Sequence, residues 1–186
     1  MNSVPAAQAG DVLTHQAVFR APVAAVFDAA RYLDAAVSAH LARRFDIAQE
    51  LLLLADLPSL RQAHGADTFL PESAAGLTAG EKRRLLLRDG YHCRFCGTPV
   101  VAPETRDRVK NIYHQIVRWG KFSEQRHAAL QVMSAQFHRL DTHTVVVTCT
   151  PCHAAEIGCT IEELCLDGAP ALGPLRSTWD GLERFR

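Results

Sequence analysis

The sequence has no excess of charge of either sign, because 20 Lys and Arg residues balance 20 Asp and Glu residues. No overall field therefore draws the chain to nucleic acid or to a membrane, and any contact with a polyanion needs a local basic patch. Long apolar runs are also missing: the stretch 47–57, IAQELLLLADL, is too short and too interrupted to cross a bilayer. Residues 1–11 lack the basic start and apolar segment of a signal peptide. We expect a cytoplasmic protein without a membrane partner.

Internal repeats are absent, and disulfides are not expected, although the chain of 186 residues has six cysteines. In a cytoplasmic protein, cysteines serve more often as thiols or metal ligands than as disulfides. A hydrophobic fraction of 48% and a charged fraction of 22% are typical of a soluble globular protein, and the chain is long enough to bury a core.

The patterns along the chain predict four segments. Residues 1–20 look weakly ordered, and residues 21–64 are predicted to form a helical hairpin. Residues 65–80, rich in Gly, Ala, Pro and Ser, are interpreted as a linker, although a surface loop inside one domain fits them equally well. Residues 81–186 form the last segment. The apolar face of the first helix comprises Val23, Val26, Phe27, Ala30, Leu33, Val37 and Leu41.

The last segment alternates helical and strand patterns. Thr78 with Glu81 forms a capping box that opens a helix, a second helix is expected over 104–120, and Ser123 can cap a third, with His127 on its exposed face. The stretches SAQFHRL and TVVVT are predicted to form a short β-pair. The fold class is therefore α+β and mostly helical.

Two Cys-x-x-Cys pairs, Cys93 with Cys96 and Cys149 with Cys152, carry the strongest chemical signal. Two intervening residues let both sulfurs of a pair face one ion, so the four thiolates can hold one tetrahedral structural Zn²⁺. Such a site has no open position for water and is not catalytic. Two unrelated turns or a redox pair remain as alternatives, but no thioredoxin-like βαβ pattern surrounds either pair.

Several segments in the right order resemble the bacterial branch of the HNH endonuclease family that carries two zinc-binding Cys-x-x-Cys pairs. They are LLLRDGYHCRFCG, RWGKFSEQRHAALQVMSAQF, VVVTCTPCH followed by CTIEELCL, and the tail STWDGLERF. The resemblance covers roughly residues 80–186. It implies a zinc-stapled ββα-metal fold, in which two strands and a helix hold a divalent ion and a His activates the water that attacks a phosphodiester.

The sequence departs from the family pattern at the catalytic positions. His138 and Arg139 stand where Asp and His are expected, the glycine-rich loop is reduced to LDTHT, and His153 replaces an Asn. Arg139 cannot act as a base because a guanidinium stays protonated, but it can hold a phosphate. An imidazole in place of a carboxylate disfavours Mg²⁺ and suits transition metals.

The nitrogen and oxygen donors that remain define a candidate site. His138, His153 and Asp141 are candidate ligands of a second divalent ion, which could be Zn²⁺, Ni²⁺, Mn²⁺ or Mg²⁺, and His143 is a candidate base. An alternative that fits the sequence equally well is that His138, His143 and His153 have no role in catalysis and are surface or turn histidines that a deletion has left behind. The candidate nucleic-acid contacts are Lys82, Arg83, Arg84, Arg88 and Arg139.

Three functions fit these residues. The first is an HNH-type endonuclease with a remodelled active site, acting on nucleic acid, with DNA favoured. The second is a pseudo-nuclease, a zinc-stabilised module that binds nucleic acid or protein without cutting it. The third is a metalloenzyme that uses the ββα-metal pocket for small-molecule chemistry. Fold alone does not decide among them.

Overall fold

The computed structural model describes residues 23–61, 76–140, 142–156, 174 and 176–186. Within these residues the chain is mostly helical and has one small antiparallel sheet, which confirms the α+β class at that level. The elements are α1 (Val23–Leu41), α2 (Phe45–Ala55), α3 (Pro58–Arg61), α4 (Ala79–Arg88), α5 (Pro103–Ile112), α6 (Ala128–Val132), β1 (Gln136–Arg139), β2 (Val145–Thr148) and α7 (Thr150–Glu156).

Helices α1 and α2 pack against each other as a hairpin. Arg43 turns the chain between them with a left-handed φ of 60°, and its N–H donates to the carbonyl of His40. The buried face of α1 consists of Val26, Ala29, Ala30, Leu33, Ala36, Val37 and Ala39. Phe27 and Leu41, which the sequence pattern assigned to this face, are exposed, because the small residues Ala29 and Ala36 complete the face instead.

One hydrophobic core joins the helical hairpin to later parts of the chain. Leu33 of α1 and Leu52 of α2 belong to the same buried cluster as Val109, Leu130 and the C-terminal Phe185. The core therefore runs across the predicted boundary between residues 21–64 and residues 81–186. The predicted linker lies mostly outside the described residues, and the N-terminal segment 1–20 lies wholly outside them.

Helix α4 begins as the capping box predicts. The Thr78 hydroxyl accepts from the Glu81 N–H, and the Glu81 carboxylate accepts from the Thr78 N–H at 2.8 Å. These contacts satisfy two N–H groups that would otherwise lack partners in the first turn. The capping box therefore fixes the start of α4, the helix that leads to the first cysteine pair.

Strands β1 and β2 pair antiparallel, with Phe137 opposite Val147 and His138 opposite Val146. The turn between them closes with a hydrogen bond from Leu140 N–H to the Thr144 carbonyl at 2.9 Å. Helix α7 follows β2 directly and contacts β1, so that the two strands and the helix lie together. A second buried cluster, which includes Leu86, Phe137 and Val147, supports this β-pair from the side of α4.

The predicted helix over 104–120 is shorter than expected, because α5 ends at Ile112. Residues 118–126 form a tight hairpin, closed by an antiparallel bridge between Trp119 and Arg126. Ser123 begins a 3₁₀ turn rather than the helix it was expected to cap, and α6 starts only after His127. None of the helices in the described ranges has both the length and the apolar character needed to span a bilayer.

Candidate metal centre

The four cysteines of the two Cys-x-x-Cys pairs come together in space. Their sulfur atoms all lie within 4.8 Å of one another, and the Sγ atoms of Cys96 and Cys149 are 3.7 Å apart. A tetrahedral ion with Zn–S bonds of about 2.3 Å separates its sulfurs by about 3.8 Å, so this spacing fits zinc. The cluster, which also contains Cys93 and Cys152, can hold a metal ion such as zinc.

A tight turn shapes the first cysteine pair. Gly97 adopts a left-handed φ of 71°, a conformation that costs glycine little. Its N–H donates to the Cys93 carbonyl at 2.9 Å, and the Cys93 N–H donates to the Thr98 carbonyl at 2.8 Å. The Thr98 hydroxyl lies 3.0 Å from the Cys96 sulfur. These bonds turn both sulfurs towards the second pair.

The second cysteine pair joins the end of β2 to the start of α7. Cys149 follows β2, and its carbonyl accepts from the His153 N–H at 3.0 Å inside the first turn of the helix. The Thr150 hydroxyl donates to the Gln131 carbonyl at 2.7 Å and ties this turn to α6. Cys152 therefore sits on the helix, facing the first pair.

Hydrogen bonds among the four sulfurs shift the pKa values of the thiols in opposite directions. The pKa of the Cys96 thiol is well below its usual range, because the sulfur receives hydrogen bonds from Cys149, Cys152 and Cys93. Hydrogen bonding to Cys152 and Cys93, together with burial, raises the pKa of Cys149. A cation at the centre of the cluster satisfies all four sulfurs at once, so the donor set fits a thiolate-bound metal.

A buried carboxylate at the end of α4 braces the first pair against β2. The Asp89 carboxylate accepts from Arg88 Nε at 2.6 Å and from Arg94 Nη2 at 2.9 Å, and the Arg94 side chain is itself buried. Asp89 also accepts from the Val147 N–H at 2.8 Å, while the Arg94 N–H donates to the Val147 carbonyl at 2.9 Å. The outer edge of β2 is thereby covered. Sequence reasoning missed this network, and no local signal marks it.

Next to the cysteines, the rings of His138 and His153 face each other. Their centroids are 5.6 Å apart and the rings are inclined by 74°, with Phe95 packed edge-on against His138. His153 is only 5% exposed, and neither of its ring nitrogens has a hydrogen-bond partner among the described residues. Burial and the neighbouring His138 lower the pKa of His153 to about 4, and burial lowers the pKa of His138. Both imidazoles are therefore neutral near pH 7, which is the form that binds metals.

The other candidate catalytic residues lie in the turn between the strands. Arg139 is exposed, and its Nη1 donates to the Thr142 carbonyl at 3.2 Å. His143 is exposed in the same turn. Asp141, the predicted third metal ligand, lies outside the described residues, and so do Cys159 and Cys165. The pair formed by His138 and His153 is thus the part of the predicted site that the structure brings together.

The basic residues predicted to contact nucleic acid have different surroundings. Arg88 is held by Asp89 and also donates to the Val145 carbonyl at 2.7 Å, so it serves the fold. Arg83 pairs with Glu183 at 3.1 Å. Lys82 lies 5.8 Å from the centre of the Phe137 ring. Arg84 is exposed and remains available to a polyanion.

His127, expected on an exposed helix face, is instead buried. Its Nδ1 accepts from the Leu130 N–H at the start of α6, and its Nε2 lies 2.8 Å from the Leu52 carbonyl of α2. Because a carbonyl only accepts, Nε2 carries the proton. The residue joins two helices of the core and takes no part in the metal centre.

No protein-family model matches the chain, and no curated protein and no solved structure matches it. The likeness to HNH endonucleases therefore rests on the residues quoted in the sequence analysis, and the function has to be argued from the site itself.

Proposed function

We propose that the chain is an HNH-type metal-dependent endonuclease with a remodelled active site, which hydrolyses phosphodiester bonds in nucleic acid, with DNA favoured. The observation that carries the proposal is the pair of neutral imidazoles, His138 on β1 and His153 on α7, whose ring centres are 5.6 Å apart. Both nitrogens of the buried His153 have no partner among the described residues. Buried polar groups are nearly always satisfied, so an orphaned imidazole supports a ligand at this place.

In this proposal the four cysteines hold a structural zinc. With four thiolates bound, the ion has no position for water, so its role is to fix the fold. Structural zinc sites contribute about 10–16 kcal/mol of apparent binding free energy. A two-stranded sheet is only marginally stable by itself. The zinc therefore links the turn of Cys93 and Cys96 to the junction of β2 and α7 and helps to hold His153 opposite His138.

The histidine pair is the proposed site of a second, catalytic metal. Zn–N bonds are about 2.0–2.1 Å long, and the ring separation of 5.6 Å is compatible with both imidazoles binding one ion. Two nitrogen donors favour Zn²⁺, Ni²⁺ or Co²⁺ over Mg²⁺. When bound, such an ion polarises a phosphoryl oxygen of the substrate. Arg139 would hold the phosphate, His143 would accept the proton of the attacking water, and Asp141 would complete the ligand set.

A second candidate, a zinc-stabilised binding module without hydrolytic activity, is favoured by a different observation. Within the part of the chain that the structure describes, the cysteine cluster is the only group of three or more metal-ligating side chains. Arg139 stands where the family carries its base, and an arginine cannot take a proton from water. Losing a general base costs roughly 10²–10⁴ in rate.

Metal content and DNA cleavage separate the two candidates. The proposal expects two metal ions per chain, of which the second is removed by a mild chelator and lost in His138→Ala and His153→Ala. His114→Ala, which changes an exposed histidine at the end of α5, should keep both ions. When plasmid DNA is incubated with Zn²⁺, Ni²⁺, Mn²⁺ or Mg²⁺ in turn, nicking should be stronger with Zn²⁺ or Ni²⁺ than with Mg²⁺, and the two site variants should not nick it. A single metal in the wild-type chain, with nicking no greater than in the variants, would support the binding module.

A further inference from the structure

Three cationic side chains surround the ring of Trp119, on a surface that contains none of the candidate metal ligands. The Trp119 ring centre lies 5.2 Å from the guanidinium of Arg106, 5.3 Å from that of Arg126 and 5.9 Å from the Lys110 ammonium. Asp107 pairs with Arg106 at 3.0 Å and with Lys110 at 3.2 Å. The single Asp107 carboxylate thus pairs with two of these three cations, and a net formal charge of +2 remains beside the ring.

The hairpin 118–126 that contains Trp119 adds further positive charge. Arg118, Lys121 and Arg126 oppose the single acid Glu124, so the net formal charge of the hairpin is +2, in a chain whose overall charge is zero. None of these three cations pairs with a carboxylate among the described residues, and Arg118 and Lys121 are exposed. The hairpin is therefore the kind of local basic patch that a neutral protein needs to attract a polyanion.

An exposed aromatic ring stands at the turn of the same hairpin. Phe122 is 43% exposed, and the Lys121 ammonium lies 5.7 Å from its ring centre. Trp119 is partly buried, packs against the hydrophobic core and has three cations around it, so Phe122 is the ring that can receive a flat partner. Cations interleaved with an exposed aromatic residue are typical of surfaces that bind single-stranded nucleic acid, where phosphates meet the cations and an unpaired base stacks on the ring.

Hydrogen bonds within the hairpin and from α3 define its conformation. Arg126 donates from Nε to the Gly120 carbonyl at 2.9 Å and from Nη2 to the Lys121 carbonyl at 3.0 Å. Arg61 of α3 donates to the Glu124 carbonyl at 3.0 Å from behind. Gly120 is required here, because a Cβ would lie 2.4 Å from Oε1 of Gln125. A loop that is already ordered loses little entropy when it binds.

We infer that the hairpin 118–126 is a binding site for a single-stranded nucleic acid segment. Arg118 and Lys121 contact phosphates, and Phe122 stacks on an unpaired base. This inference rests on the proposed function, since a nuclease has to hold the strand that it cuts. It assigns the residues that bind that strand. DNA and RNA share this chemistry.

The test is binding, measured by fluorescence anisotropy without added divalent metal, on the zinc-loaded full chain. The probes are labelled single-stranded DNA and RNA of about 12 nucleotides, within the range of site sizes of such surfaces, and a duplex of the same sequence. Lys121→Ala should weaken binding and reduce the salt slope by about 0.7 per lost phosphate contact. Phe122→Ala should weaken single-strand binding about 5- to 100-fold and leave duplex binding nearly unchanged.

The chain supplies matched controls on α1. Phe27 is 42% exposed, close to the 43% of Phe122, and Arg31 is an exposed cation. Phe27→Ala and Arg31→Ala should bind like the wild type. If Lys121→Ala and Phe122→Ala also bind like the wild type, or if no single strand binds, the inference is wrong. Binding that persists in His153→Ala while nicking is absent from every protein would sink the nuclease proposal and leave this site standing.

Discussion

The carboxylate of Asp89, at the end of α4, accepts a hydrogen bond from the N–H of Val147, in the middle of β2, at 2.8 Å. The same carboxylate binds the buried guanidinium of Arg94, which lies between Cys93 and Cys96. One side chain thus connects a helix, a strand and a cysteine pair. The geometry of the metal centre depends on it as well as on the four sulfurs, because outer contacts of this kind orient the ligands.

Asp89→Asn should therefore destabilise the protein strongly. The substitution keeps the shape of the side chain but leaves the buried Arg94 without its counter-charge, and breaking a buried ion pair from one side costs about 3–5 kcal/mol. Urea unfolding measures the loss in the free energy of unfolding. Asp28→Asn, which breaks an exposed pair with Arg31, should cost less than about 1 kcal/mol. Equal effects of the two substitutions would contradict a central role for Asp89.

Removal of one cysteine ligand should unfold the region around β2 and α7. Cys149→Ser forfeits much of a binding free energy of about 10–16 kcal/mol, which is comparable to the whole stability of a domain at about 5–15 kcal/mol. Metal analysis should find less than one zinc per chain, and near-UV circular dichroism should show the loss of packing.

Cys159→Ser and Cys165→Ser are the controls for this prediction, because neither residue belongs to a Cys-x-x-Cys pair and neither is a predicted zinc ligand. Each variant should retain its zinc and its near-UV spectrum. Full zinc content in Cys149→Ser, or loss of zinc in either control, would show that the ligand set is different.

Features that depend on neighbouring residues could be read from the sequence. The capping box can be predicted because its two residues, Thr78 and Glu81, are only three positions apart. The β-branched run of β2 predicts a strand by itself. The two cysteine pairs were found because Cys-x-x-Cys is a local pattern, and the idea that they share one ion came from counting four ligands. The His138 and His153 candidates followed from the family resemblance.

Features that depend on distant residues were missed. His127 was assigned to the surface because its partner, the carbonyl of Leu52, is 75 residues away in sequence. Arg88 is a predicted nucleic-acid contact, but nothing in the adjacent sequence indicates that its neighbour Asp89 accepts a hydrogen bond from Val147. For residues 118–126 the sequence predicts the end of one helix and the cap of the next, since the bridge between Trp119 and Arg126 does not affect the apolar periodicity.

Two glycines should respond to alanine in opposite directions. Gly181 has a left-handed φ of 62°, and a Cβ there would lie 2.2 Å from the Tyr91 ring, so Gly181→Ala should destabilise the protein. Gly80, in the first turn of α4, has nothing within 4 Å of an added Cβ. Gly80→Ala should stabilise the protein by about 0.4–1 kcal/mol, because it restricts the unfolded chain. Thermal unfolding distinguishes the two, and a stabilising Gly181→Ala would be inconsistent with the packing of the C-terminal segment on Tyr91.

The buried His127 should make stability depend on pH. Burial lowers its pKa below the ordinary value of 6.5, so the folded protein holds it neutral while the unfolded chain binds a proton more readily. The unfolded state therefore takes up more protons as the pH falls below 6.5, and stability drops by at most about 1.4 kcal/mol per pH unit for this group. Above pH 6.5 both states are neutral and the contribution is constant.

The variant His127→Asn isolates this effect, because asparagine can cap α6 but does not titrate in this range. Histidines that both proteins share, His40 and His138 among them, cancel when the two curves of unfolding free energy against pH are subtracted. The difference should be flat from pH 8 to about 6.5 and should then fall as the wild type loses its advantage. A proton on Nδ1 would face the Leu130 N–H, which now donates to that nitrogen at 3.4 Å, and this contact is what the acid form has to break. A difference that stays constant down to pH 5 would mean that His127 is not held neutral between α2 and α6.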